Sequence, residues 1–212
     1  MRRDPLYSIP MLVTIFGLAL LAAACGSSRA DGSAAKLAIG MTLDEAKATL
    51  GPDYTWERAE GSDDAGKDFD AIGMWTKGVH VEHATLEHKG AVIAVLPATN
   101  LELNISGTWL RQMRLVFEGA DALANVRAFG KSLAAKGWTE TASDKSAAIA
   151  AQKRFWEAAL TCPTSDDGAT GFTHPSTLDV GLVASCTGKK PYIYVQFGPS
   201  RALKKPTPEQ FR

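Results

Sequence analysis

A stretch without one charged side chain, from Pro5 to Ser28, divides the chain before any question of fold arises. Arg2 and Arg3 stand ahead of it, and its centre is the apolar run Met11-Leu-Val-Thr-Ile-Phe-Gly-Leu-Ala-Leu-Leu-Ala-Ala-Ala24, which ends in small residues. Basic, then apolar, then small is the layout of a secretory signal peptide. A transmembrane helix wants about 20 apolar residues, and this core is shorter, with Pro10 at its start. Residues 1–24 are expected to be a removable address, so the fold must come from the residues beyond Ala24.

The residues at the end of that run, Leu21-Ala-Ala-Ala-Cys25, resemble the lipobox of bacterial lipoproteins. Ala22 stands where that box usually has Leu, with Leu21 one step earlier. The resemblance implies that Cys25 becomes the first residue of the mature chain and carries palmitate and two further acyl chains; stable anchoring needs more than one. Gly26, rather than Asp, implies sorting to the outer membrane, with the folded part facing the periplasm. An ordinary cleaved signal or an uncleaved anchor is the alternative.

With Cys25 assigned to lipid, Cys162 and Cys186 remain, in a compartment where thiols pair. A disulfide between them is expected; two independent buried thiols are the other reading. Dropping Arg2, Arg3 and Asp4 leaves 21 basic and 22 acidic side chains. Near-neutrality excludes a basic footprint for nucleic acid. With 45% hydrophobic residues, a charge-rich disordered chain is excluded too.

Residues 25–35 read as a flexible tether of small and polar residues. Ser33-Ala-Ala-Lys36 matches the S-x-x-K of penicillin-binding enzymes, but no S-D-N or K-T-G accompanies it, and it reads as coincidence. The first element is a helix opened by a capping box, Thr42 with Glu45 three residues on, and stopped by Gly51-Pro52. Strands are expected at 54–58, 71–76, 79–87 and 91–96, the last three as an antiparallel meander. An acidic loop, 61–70, separates the first two.

Residues 97–107 read as a seam between a first module, 36–100, and a second, 107–200. The second opens with a strand at 109–118. An amphipathic helix over 121–136 follows, stopped by Gly137, with Trp138 set to contact Leu133. Residues 143–160 offer an Ala-rich helix capped by Ser143 or a strand over 153–160; the latter part is read as strand. A hairpin follows, 177–186 with 191–198. Residues 201–212 are expected to be a loose tail. The fold class is α+β, short helices packed on antiparallel sheets in two small modules.

Gly40-Met41-Thr42, with Ala46, Leu50 and Gly51, followed by antiparallel strands, resembles a small α+β module of two groups: the SmpA/OmlA (BamE-type) outer-membrane lipoproteins and the β-lactamase-inhibitor-protein fold. There a Gly-Met-Thr turn opens a helix packed on a sheet. The likeness implies fold far more than activity. The inhibitor fold is a tandem with a disulfide in its second half, which Cys162 and Cys186 loosely resemble; no second Gly-Met-Thr is present.

No nucleophile elbow, zinc-protease motif, phosphate loop or calcium loop occurs. His80, Glu82 and His88 fall on one face of the expected strand and His83 on the other; with no further ligand in spacing, they read as a solvated face. Asp63, Asp64, Asp68 and Asp70 fit no calcium ligand order. No cofactor or metal is expected. Of five tryptophans, most are expected in the core, and Trp56, Trp75 and Trp109 are the candidates for an exposed binding anchor.

The expectation is a non-catalytic outer-membrane lipoprotein that binds another periplasmic or envelope protein, as an assembly or scaffolding accessory. The alternative is an inhibitor or immunity lipoprotein directed at a toxin or hydrolase. A periplasmic hydrolase using His80, Glu82 or His174 is the contrary reading. Nothing in the sequence sets the oligomeric state.

Overall fold

Alternating burial along two adjacent strands organises most of the molecule. The computed structural model describes residues 34–51, 56–58, 74–76, 79–81 and 84–212. The expected signal segment, Cys25, nearly all of the expected tether and the expected acidic loop lie outside the described residues. Ser33–Arg212 forms one compact unit.

Its elements in chain order are β1 (Ala35–Leu37), α1 (Leu43–Leu50), β2 (Trp56–Arg58), β3 (Met74–Thr76), β4 (Val79–Val81), β5 (Ala84–His88), β6 (Ala91–Leu96), β7 (Thr99–Ser106), β8 (Trp109–Phe117), α2 (Ala122–Ala134), β9 (Thr139–Glu140), α3 (Ser146–Glu157), β10 (Gly168–His174), β11 (Leu178–Thr187), β12 (Lys190–Pro199) and a short 3-10 turn, Pro208–Gln210. The class is α+β. A three-stranded sheet runs β1-β5-β6, and a nine-stranded sheet runs β2-β3-β7-β8-β12-β11-β10-β9 with β4 also on β7. Strands from 36–100 and from 107–200 therefore share the larger sheet.

In β11 the even positions Leu178, Val180, Leu182 and Ala184 are buried, and in β12 the odd positions Ile193, Val195 and Phe197. Period-2 alternation puts these on one face. Against that face α2 lays Val126, Phe129 and Leu133. Gly130 lets it come close, since a Cβ there would stand 2.6 Å from Leu182 Cδ2. The helix stops as its sequence indicates: Gly137 has φ +84°, and the Trp138 and Gly137 amides donate to the carbonyls of Leu133 and Ala134. Trp138 then joins the sheets, its Nε1–H donating to the Ile93 carbonyl on β6 at 2.7 Å.

The capping box is formed. The Glu45 amide donates to Thr42 Oγ1 at 3.2 Å, and the Thr42 amide donates to Glu45 Oε2 at 2.7 Å. Cys162 and Cys186 are joined as a disulfide, Cα atoms 5.5 Å apart. It ties the loop after α3 to the end of β11.

Four expectations are corrected. The run 79–88 is not one strand: β4 pairs β7, and β5 pairs β6. Val81 and Ala84 are both buried, and two inward residues three apart break the period-2 phase, so the meander is not formed. The seam at 97–107 contains β7, whose Leu101, Leu103 and Ile105 alternate inward. Residues 153–157 are helical, because the Ala-rich run before them consists of strong helix formers. The tail 201–212 is docked. Phe211 is 1% exposed and its ring stacks on Trp109 at 6.0 Å, an apolar burial that outweighs the Pro-rich lead-in.

Candidate functional site: an open sheet face and its groove

The face of the nine-stranded sheet turned away from α2 carries the other half of each alternation. Register places Gly171, Gly181, Gln196, Arg114 and Glu102 in one row across five strands. The next row is Ala169, Val183, Tyr194, Val116 and Asn100. On the other side Thr173, Asp179 and Gly198 are in register, with the paired Gln112 and Asn104 beyond them, Gln112 Cγ lying 3.5 Å from where a Gly198 Cβ would stand. Helix α3 packs along β10 at one margin of these rows. Such a face is expected to be polar where it meets water, and this one is: arginine, tyrosine, amides and carboxylates share it with glycine.

A groove of about 550 Å³ runs along it, with α3 as one wall. Its floor lacks Cβ atoms at Gly171, Gly181 and Gly198, and a Cβ added at Gly181 would meet nothing within 4 Å. Tyr194, Gln196 and Gln112 border the floor, and Ala148, Ala151 and Gln152 of α3 face them. The wall is rooted at one end. Arg127 of α2 donates to the carbonyls of Phe155 and Ala158, both at 2.6 Å, and to that of Arg154 at 3.4 Å. These are carbonyls left open at a helix C-terminus.

Beside the groove Arg114 is held in place on every side. Its Nη2 donates to Gln196 Oε1 at 2.9 Å, and its Nη1 donates to Tyr192 Oη at 3.1 Å and Glu102 Oε2 at 3.3 Å. Its guanidinium carbon lies 4.8 Å from the Tyr194 ring centre, and the two tyrosine rings are 5.2 Å apart. Burial pushes the Glu102 carboxyl above its ordinary range despite the arginine beside it. Burial likewise pushes the Tyr194 phenol up.

The rim carboxylates are satisfied internally. Asp179 accepts from Thr173 Oγ1 at 2.9 Å, Ser200 Oγ at 3.0 Å and the Arg201 amide at 2.9 Å. Glu140 accepts from Trp156 Nε1 at 2.7 Å and Thr170 Oγ1 at 2.5 Å. Burial raises the Glu140 pKa, but these bonds and one from Gln152 outweigh it and hold the carboxyl below its usual range.

The sequence candidates fall elsewhere. Gly40, Met41, Thr42, Glu45 and Gly51 form the entry and stop of α1. Trp109 is no exposed anchor: it is 8% exposed, beneath Phe211. Trp56 and Trp75 stand in β2 and β3; their side chains, like that of His80, lie outside the described residues, as do Glu82 and His83. Trp138 is buried and Trp156 packs against the core. His174 is bound locally, its Nδ1 2.7 Å from Ser176 Oγ in the β10–β11 turn, with its ring against Trp138.

Among the described residues no three His, Cys, Asp or Glu side chains are placed to hold a metal, and no helix is long and apolar enough to cross a membrane. No family model, curated protein or solved structure matches the chain.

Sequence reasoning does not single out the groove residues because each is ordinary alone. A signal is present in Tyr192-Ile-Tyr-Val-Gln-Phe-Gly198, where apolar residues alternate with a tyrosine pair, a glutamine and a glycine. Joining it to Arg114 requires the pairing of β12 with β8 across about 80 residues of chain, which spacing does not reveal.

Proposed function

We propose that the chain is a lipid-anchored outer-membrane protein, facing the periplasm, that binds another protein through the open face of its larger sheet, as an assembly or scaffolding accessory. One observation carries the reading: a sheet face with α3 along one margin, holding a glycine-floored groove lined by Tyr194, on whose ring a fixed Arg114 is stacked. Tyrosine and arginine are the residues most often dominant in protein interfaces. Here Arg114 is already ordered by Glu102 and Gln196 and in turn contacts both Tyr192 and Tyr194, so a partner meets side chains whose rotamer entropy is largely spent. The anchor at Cys25 is supported by the lipobox resemblance, which also supports the envelope location.

Two measurements test it. Incorporation of an alkyne palmitate analogue is expected in the wild type and absent in Cys25→Ala; an unlabelled wild type removes the anchor. A photoreactive residue at Gln196 is expected to crosslink one envelope protein in living cells. Gly181→Phe, which fills the groove from a position where a Cβ meets nothing, is expected to abolish that product while the circular-dichroism spectrum and Tm stay near wild type. Crosslinking that persists in the folded variant overturns the assignment of the groove.

A further inference from the structure

We draw no further inference here: the strongest candidate, the apolar patch of exposed Val92 and Val95 on β6, the edge strand of the three-stranded sheet, carries none because nothing in the structure shows what covers it.

Discussion

Arg212 donates from its Nε to the carbonyl of Gly40 at 3.1 Å, across 172 positions of chain. Its Nη2 reaches Glu45 Oε2, also at 3.1 Å, so one carboxylate caps α1 and receives the end of the docked tail. Phe211 is buried beside it on Trp109. The two contacts differ in worth. Phe211→Ala is expected to cost about 3 kcal/mol, as buried aromatic truncations do. Arg212→Ala is expected to cost under about 1 kcal/mol, because its ion pair is half exposed on both sides and screened. Urea unfolding of the two variants checks the ranking.

Gly40 sits at φ +96°, and a Cβ there would lie 2.8 Å from the Pro208 carbonyl oxygen. Gly40→Ala is therefore penalised twice, about 2 kcal/mol for the backbone conformation and more for pushing the tail away. Deleting residues 208–212 removes the second penalty. In the double-mutant cycle, Gly40→Ala is expected to cost less in the shortened chain than in the full one; additive effects would mean the contact is without consequence.

Replacing Cys162 and Cys186 together with serine is expected to lower stability by about 3 kcal/mol on the chain-entropy model. The loss should concentrate where the bridge acts. Hydrogen exchange in α3, and above all near its C-terminal end, is expected to accelerate more than exchange in β8, which reads local opening separately from global unfolding.

Acidification is expected to weaken the fold in two steps. Burial lowers the pKa of His174 from 6.5, and burial together with the charges of Lys89 and His174 lowers that of His88. The unfolded chain takes up these protons first, so stability declines as the pH drops below 6.5. A further decline begins below 4.5, where Glu45, held low chiefly by the Thr42 amide, is protonated in the unfolded chain before the folded one. Tm against pH should show both steps, and His174→Asn, whose Oδ1 can stand in for Nδ1, should shrink the first.

Local chemistry is legible in the sequence; long-range assembly is not. Thr42 with Glu45, and Gly137 with Trp138, announce helix ends because caps use neighbours in the chain. The hairpin of β11 and β12 is legible for the same reason. The docking of Phe211 is invisible there, since an aromatic in a Pro-rich tail gives no sign of a slot beside Trp109. Helix α3 departs from the expected strand at Phe155 and Trp156, whose strand preference is overridden by Arg127 closing the helix end and by Phe155 entering the core. The groove depends on which strands lie side by side. Arg114, Tyr194 and Gly181 acquire meaning only through the β8-β12-β11 order.

The two ends of α3 are held unequally. Its C-terminal end is clamped by Arg127 and followed by the bridged Cys162, whereas its N-terminal end has no side-chain cap and residues 146–150 are all exposed, Ile149 to 50%. The wall of the groove is thus a jaw with a fixed root and a free tip. A ligand in the groove therefore lies against a wall that is tied to the fold near Arg154 and that no side chain caps at its start.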